Sequence, residues 1–267
     1  MLRDVTIGQY YQGQSVIHEL DPRVKLTGTL VFIVSLFAFG SISSYIFATI
    51  CLAAVIGLTK IPVSYMLRGL RAIFVLMLVT AVFDIFLTPG EELLKIWKLT
   101  VTREGVQMAV HMAFRLTYLI LGSSVLTLTT TPNRLTDGLE SLLGGLRRFH
   151  VPVSEIAMMM SIALRFIPIL MDEADKIMRA QEARGADFHS GNLIQRAKAL
   201  VPLLVPLFLS AFRRANDLAL AMESRCYNTG AVRTRMKVLR LQRRDYIAII
   251  CIVLYLIVMI GLCRFVR

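Results

Sequence analysis

The sequence predicts an all-α membrane protein with about five transmembrane helices and two long amphipathic helices on the cytoplasmic side. Hydrophobic residues make up 56% of the 267 residues and charged residues only 18%. The mean hydropathy of +0.64 is typical of a multi-spanning membrane protein. The formal net charge of +12 fits cytoplasmic loops that face an anionic inner leaflet.

The predicted membrane spans follow from long stretches that lack charged residues. Residues 26–59 contain no charge and would form about 50 Å of helix, too long for a single crossing of a 30 Å hydrocarbon core. The "GSISS" segment at 40–44 supplies a turn that divides this stretch into two spans. Further spans are predicted at 72–88, which ends before Pro89 and Gly90, at 106–130, which ends before Pro132, and at 246–263.

Lysine and arginine set the predicted orientation. They cluster before the first span, between the second and third spans, and throughout 131–245, so these segments are placed in the cytoplasm. The connection 89–104 has balanced charge and is placed outside, as is the C-terminal tail. Three parts are therefore predicted: a membrane part with four spans at 1–130, a cytoplasmic or interfacial region at 131–245, and a last span at 246–267. Six basic residues within 233–244 fix this topology, and we also expect them to contact anionic lipid.

Region 131–245 contains two long helical patterns, at about 153–185 and 193–226. In the first, apolar residues recur at steps of three and four while charged residues occupy the other face. A helix of this length measures about 50 Å, so it must cross the membrane interface obliquely or project from it. Pro168, Pro202 and Pro206 are expected to bend these helices, because each removes a backbone donor.

The ends of the two long helices align at an offset of 41 residues, which places Arg184 on Arg225. An arginine in a last turn can simply stabilise the negative end of its helix. Small flanking residues favour a second role, in which another protein closes over the guanidinium and accepts its hydrogen bonds. These flanking residues are Ala183 and Gly185 in the first triplet, and Ser224 and Cys226 in the second.

Several motifs resemble a known family. They are "GQYYQGQSVIHELDPRVKL" near the N-terminus, "TTTPNRLTDGLESLL" in the middle of the chain, and the helix that ends on Ala183-Arg184-Gly185. Over most of its length the chain resembles the transmembrane T component of energy-coupling factor (ECF) vitamin transporters, within the ABC superfamily. The family signature is a pair of Ala-Arg-Gly-like triplets at the ends of long coupling helices. Ser224-Arg225-Cys226 departs from it, and we expect that helix end to be shaped differently, because cysteine adopts a left-handed conformation less readily than glycine.

The resemblance implies a non-catalytic subunit of the cell membrane that binds no cofactor itself. Two related cytosolic ATPases would bind ATP and Mg²⁺, and each would receive one triplet arginine in a groove. A small membrane-embedded S component would capture the vitamin. The Asp21, Pro22, Arg23 and Lys25 positions belong to the family's N-terminal motif. Soft and apolar side chains on the long helices are expected to contact the S component: Met158, Ile167, Leu170, Met171, Ala174, Leu204 and Phe208.

Other functions fit the sequence less well, and no module of aromatic residues interleaved with basic ones predicts nucleic-acid binding. The sequence has no GxxxxGK[ST] phosphate loop, and no clustered His, Cys and carboxylate residues predict a metal site. An intramembrane enzyme would need ionisable groups at membrane depth; Asp84, His111 and Arg115 are such groups and could meet, but nothing marks a nucleophile. An ordinary ABC permease would couple through a short loop helix. A role as the T component of a cobalt or nickel importer of the same family remains an alternative.

Overall fold

The computed structural model describes residues 10–40, 42–96, 99–186, 188, 193–228 and 239–266, and it confirms the all-α prediction. The helices of the described chain are α1 (Val16–Glu19), α2 (Pro22–Ala38), α3 (Ile42–Thr59), α4 (Val63–Leu87), α5 (Arg103–Thr129), α6 (Pro132–Leu142), a 3-10 helix (Leu143–Phe149), α7 (Val153–Ala183), α8 (Leu193–Ser224) and α9 (Arg243–Val266). The break predicted at 40–44 overlaps the boundary between α2 and α3, but α3 already begins at Ile42 and so includes the last three residues of the predicted turn. Residues 229–238, which carry much of the predicted basic segment, lie outside the described residues.

The chain forms two compact units. The membrane unit comprises Gly8–Leu139 and Leu239–Arg267, and the long-helix unit lies within Glu140–Val238. These boundaries fall inside the predicted region 131–245. The reason is that both flanks of this region bind the N-terminal end of α2: Gly138 packs on Pro22, and the carboxylate of Asp245 accepts the amide N–H of Asp21 at 2.8 Å. The predicted assignment of 131–245 to the cytoplasm stays a prediction.

Within the described residues, four helical segments are long and apolar enough to cross a membrane: Ile42–Thr59, Arg103–Thr129, Val153–Ala183 and Arg243–Arg264. The segment Ile73–Leu87 of α4 is a shorter apolar helix, and α2 has 17 residues. The chain is therefore a multi-pass membrane protein. Helix α7 meets the length and composition of a span, because its N-terminal half is almost free of charge. The sequence predicts instead that this helix crosses the membrane interface obliquely or projects from it.

Helix α5 is central to the membrane unit. It contacts α2, α3 and α4, while α9 packs on α2 and α3. One buried cluster joins Leu36, Tyr45, Ala48, Leu52 and Tyr118. A second joins Ile61, Met66, Val125 and Leu128 near the opposite ends of these helices. Many large apolar side chains of α3, α4 and α9 remain exposed, which is expected where lipid replaces water as the solvent.

A β-hairpin connects α4 to α5 and was not predicted from the sequence. Strand β1 (Glu92–Ile96) pairs antiparallel with β2 (Leu99–Thr102), with a register irregularity between Glu92 and Leu94. The Thr102 hydroxyl donates to the carbonyl of Thr88 at 2.8 Å and accepts the amide N–H of Gly105, so it caps α5. The hairpin is thereby held against the adjoining ends of α4 and α5.

In the long-helix unit α7 contacts α8. The Arg214 guanidinium lies 3.3 Å from the carboxylate of Glu173, an ion pair between the two helices. Pro168, Pro202 and Pro206 all lie inside continuous helix. The bends expected at these prolines stay a prediction.

Candidate functional site

The C-terminal end of α7 is closed by a tight set of backbone hydrogen bonds. The amide of Ala186 donates to the carbonyl of Gln181 at 3.0 Å, and the amide of Gly185 donates to Glu182 at 2.9 Å. Gly185 has φ +87°, in the left-handed region. This is the arrangement by which helices commonly end on glycine. Arg184 is the last residue before this reversal and its side chain is exposed.

The end of α8 has the same geometry. The amide of Tyr227 donates to Met222 at 3.0 Å, and the amide of Cys226 donates to Glu223 at 2.9 Å. Cys226 has φ +56°. The expectation that this end is shaped differently from the first is therefore wrong. The backbone hydrogen bonds of the last turn hold cysteine in the left-handed conformation despite a cost of about 1–2 kcal/mol.

The two triplets are thus equivalent in backbone conformation, not only in sequence. Residues 181–186 and 222–227 make matching bonds at an offset of 41. All six triplet residues are exposed: Ala183, Arg184, Gly185, Ser224, Arg225 and Cys226. Each arginine follows an exposed glutamate two positions earlier, Glu182 or Glu223. Each end therefore offers an exposed guanidinium beside a helix terminus, flanked by small residues.

The ion pair between the helices obeys the same offset. Glu173 and Arg214 are 41 residues apart, so equivalent positions of the two helices meet at this contact. From the pair to the triplet arginine there are eleven residues on α7 and eleven on α8 (184 − 173 and 225 − 214), or about 16 Å of helix in each case. The two ends therefore project by equal lengths beyond the pair.

The predicted S-component contacts are divided between the two helices. On α8, Leu204 and Phe208 are exposed, and the Phe208 ring lies 4.7 Å from the Phe212 ring in an edge-on arrangement. On α7, Ile167 is exposed, while Met158, Leu170 and Met171 are half-buried. Ala174 is only 8% exposed, so it packs inside the unit and is a poor candidate for a direct contact.

The N-terminal motif is structural in the membrane unit. Asp21 caps α2 by accepting the amide N–H of Arg23 at 2.9 Å, and Pro22 occupies the first helical position. The amide of Asp21 in turn donates to the buried carboxylate of Asp245, which also accepts from the amide of Gln242 at 2.7 Å. Sequence reasoning missed Asp245. The available signal was its position as the first acid after six basic residues.

Lys25 precedes the first uncharged stretch and is almost fully buried. Its ammonium donates to the carbonyls of His18 and Thr129 at 3.1 and 3.0 Å, and to the Thr130 hydroxyl at 3.3 Å. Burial lowers the pKa of the Lys25 amine to about 8; the charge of Arg134 adds to this lowering, and Asp245 and Asp21 oppose it. The amine therefore links the ends of α1, α2 and α5.

His18 completes this buried network. Its Nδ1 lies 2.6 Å from the Ser15 hydroxyl and its Nε2 lies 3.1 Å from the carbonyl oxygen of Tyr11. Burial lowers the pKa of the His18 imidazole, the Tyr11 carbonyl opposes this, and Lys25 adds to the lowering. We call His18, Asp21, Lys25 and Asp245 the buried polar network.

Asp84, His111 and Arg115 line one cavity of about 500 Å³ in the membrane unit, together with Tyr45 and Glu104 among others. The prediction that these three groups can meet is therefore confirmed at the level of a shared cavity. Among the residues that the structure describes, no group of three or more His, Cys, Asp or Glu side chains is arranged to hold a metal ion. Among the described residues that line the cavity, no nucleophile is paired with a base, and no reaction is assigned to it.

Comparison with known proteins gives a consistent result. A family profile described as "Cobalt transport protein" matches residues 13–238. An "Energy-coupling factor transporter transmembrane protein EcfT" from Clostridium kluyveri is 57% identical over 254 residues, covering 94% of both chains. A protein of the same name from Thermosediminibacter oceani is 54% identical, and the match covers 93% of this chain and 94% of the relative. Another from Ruminiclostridium cellulolyticum is 49% identical, and the match covers 92% of both chains.

Proposed function

The chain belongs to this family of energy-coupling factor transporter transmembrane components, and from that premise we propose that it transmits the ATP-driven movement of two cytosolic ATPases to a membrane-embedded S component. It does so without catalysing a reaction, and ATP and Mg²⁺ are bound by the partner ATPases. The imported substrate is a vitamin or another micronutrient captured by the S component. Together these subunits form an importer in the cell membrane.

The observation that carries this proposal is the equivalence of the two arginine-bearing helix ends. Two matching ends require two matching receptors, as two related ATPases would provide. The guanidinium has five donors in a planar fork and suits a groove lined by carboxylates or backbone carbonyls. Because both helices end at these residues, a displacement of the ATPase groove acts directly on the helix axis.

The ion pair between Glu173 and Arg214 supports the mechanical part of the proposal. It links α7 to α8 at equivalent positions, so movement of one helix end is passed to the other helix. Continuous helices of 31 and 32 residues are stiff enough to carry such movement over tens of ångströms. The exposed apolar face around Leu204 and Phe208 is the part we assign to the S component.

A cobalt importer of the same family is the second candidate, because the matching profile is described as a cobalt transport protein. The curated relatives carry the ECF name, which favours the vitamin assignment. Both candidates use the same coupling mechanism in this chain. Uptake assays with cobalt and with vitamins, using the S component that copurifies with this chain, distinguish them.

The decisive experiment reverses the charge at both helix ends. In the complete complex, Arg184→Glu together with Arg225→Glu should reduce ATPase copurification and coupled uptake by well over tenfold, because breaking a desolvated arginine pair costs about 3–5 kcal/mol. The variant should still insert into the membrane. Uptake at the wild-type rate in the double variant would exclude the proposal.

Matched controls come from the same two helices. Arg179 and Arg213 are exposed, and the Nε atom of each donates to the backbone carbonyl four residues earlier. Arg179→Glu with Arg213→Glu makes the same charge change away from the helix ends. If the control pair reduces docking as strongly as the triplet pair, the partners respond to overall charge rather than to the triplets.

A further inference from the structure

The cavity beside Asp84 contains a concentration of buried polar atoms that have no partner in the described part of the chain. Three such atoms belong to residues that line it: the Tyr45 hydroxyl, Oδ2 of Asp84 and Nε of Arg115. Tyr45 is only 6% exposed. Buried polar atoms are normally hydrogen-bonded, so three on one cavity wall indicate a site for a polar ligand.

Neighbouring groups do not satisfy these atoms. The Arg115 guanidinium lies 5.3 Å from the centre of the Phe37 ring and makes a weak contact of 3.9 Å with the sulfur of Met112. The carboxylate of Glu104, which also lines the cavity, already accepts the amide N–H of Glu91 at 2.8 Å. Asp84 and Arg115 form no ion pair with each other, since neither is within 4.0 Å of an opposite charge in the described residues. Within the described residues the two charges therefore do not neutralise each other.

The unpartnered atoms define the chemistry of the ligand. Arg115 and Tyr45 offer hydrogen-bond donors and a positive charge, which suit a phosphate. Asp84 offers a negative acceptor, which suits an ammonium group that carries N–H donors. A cavity of about 500 Å³ lies within the range of small-molecule sites. The ligand should therefore be a zwitterion that carries a phosphate and a primary ammonium.

The order of the two charges along the helices matches a lipid headgroup. Asp84 lies three residues before the end of α4 (87 − 84), and its carbonyl is level with Gly105. The Cα of Arg115 is ten residues farther along α5 than Gly105, about 15 Å by helix rise, and its guanidinium reaches back toward Met112, one turn nearer the level of Asp84. In an aminophospholipid the phosphate lies on the acyl-chain side and the ammonium on the water side. Arg115 lies farther from the ends of α4 and α5 than Asp84 does, so the two residues follow the same order as the phosphate and the ammonium.

The surroundings of the cavity suit acyl chains. Met108 lines the cavity and is half exposed, and Phe83, Leu87 and Ile42 on the adjoining helix ends are also exposed. We propose that this cavity binds the headgroup of a phosphatidylethanolamine-type lipid, with its phosphate on Arg115 and Tyr45 and its ammonium on Asp84. The acyl chains lie along the exposed apolar surface beside Met108.

The first test uses the wild-type full-length chain. The protein is equilibrated with mixed micelles that contain equal amounts of phosphatidylethanolamine and phosphatidylcholine, and the retained lipid is measured by native mass spectrometry. Phosphatidylethanolamine should be retained about tenfold more, because the quaternary ammonium of phosphatidylcholine has no N–H to donate to Asp84. Equal retention of the two lipids would overturn the proposal, whatever happens to any variant.

Single substitutions separate the two halves of the site. Asp84→Asn should abolish the preference for phosphatidylethanolamine while phospholipid is still retained. Arg115→Gln should lower the retention of both lipids, since both carry the phosphate. Exposed residues of the same charge serve as controls, and Asp137→Asn and Arg264→Gln should leave retention and preference unchanged. A preference that survives Asp84→Asn would overturn the assignment of the ammonium.

The last arm distinguishes a lipid from a soluble ligand. Free phosphoethanolamine has the same charged groups but no acyl chains. It should compete with bound phosphatidylethanolamine only at concentrations about a hundredfold higher or more, because burial of the acyl chains adds to the affinity of the lipid. If phosphoethanolamine competed at the same concentration as the lipid, the site would bind a soluble zwitterion and the assignment of a lipid would be overturned.

Discussion

Two basic motifs of this chain are built in opposite ways. Lys25 is buried in the membrane unit and donates to three oxygen atoms of its own chain. Arg184 and Arg225 are exposed at the ends of long helices. A buried amine with its hydrogen bonds made inside the protein stabilises the fold and has little left to offer a partner. An exposed guanidinium with small neighbours adds little to stability and is available for binding.

The contrast is tested most strongly by removing the buried amine. Lys25→Met should lower the free energy of unfolding by about 2–4 kcal/mol, because the carbonyls of His18 and Thr129 then lose a buried donor. Unfolding by denaturant in detergent measures the change. Arg240→Met, at an exposed position, is the control and should change stability by less than about 0.5 kcal/mol. A loss no greater for Lys25→Met than for the control would contradict the structural role.

Replacing Asp245, which also belongs to the buried polar network, should have the next largest effect on stability. Asp245→Asn should destabilise the protein by about 1–3 kcal/mol, because one of the two backbone amides it serves, Asp21 or Gln242, would face an NH₂ group instead of an oxygen. The same denaturant titration is used. Asp217→Asn on the exposed surface of α8 is the control. If both asparagine variants unfold at the same denaturant concentration, Asp245 is not part of a structural network.

At the helix ends, stability and binding should separate. Gly185→Leu forces a side chain into the left-handed region at φ +87°, at a cost of about 1 kcal/mol. Cys226→Leu exchanges one side chain for another in the same region, so its stability should hardly change. Coupled uptake in the complete complex should fall further for Gly185→Leu. If Cys226→Leu reduced uptake as much as Gly185→Leu or more, the backbone conformation at position 185 would not explain the loss of uptake.

The smallest effect is a pH dependence from His18. Burial lowers the pKa of this imidazole below its usual 6.5, so the folded state favours the neutral ring. The stabilisation is therefore fully present above about pH 6.5 and is lost as the pH falls toward the lowered pKa, because the unfolded chain binds the proton more readily. Denaturant unfolding between pH 5 and 8 should show this slope, and it should be weaker in His18→Gln. An unchanged slope in that variant would assign the pH dependence to other groups.

The sequence predicted most of the helices, because uncharged stretches and helical periodicity are local properties. The interruption between α2 and α3 and the end of α4 before Pro89 were predicted from turn residues, which are also a local signal. The β-hairpin was missed, since strands of four and five residues are too short to give a distinct periodic pattern. The roles of His18 and Asp245 depend on partners that folding brings together; Asp245 and Asp21 are 224 residues apart.

The geometry of Cys226 shows the limit of propensity arguments. Intrinsic preference predicts that cysteine avoids φ +56°, yet the backbone hydrogen bonds of the last turn prevail. The cavity at Asp84 gives the opposite lesson. Helical spacing and the predicted topology of the spans placed Asp84, His111 and Arg115 near one another, and all three line the cavity. The position of Tyr45 beside them required the three-dimensional structure.

The equal distances from the Glu173–Arg214 pair to the two arginines have a mechanical meaning. Because the two arginines lie at equal distances from this ion pair, equal forces on the two helix ends produce equal torques about it. With eleven residues on each side, the long helices themselves supply no bias toward either of the two partners proposed above. Under that proposal the direction of the transport cycle arises from differences between the partners, and exchanging the two arginine triplets should leave that direction unaltered.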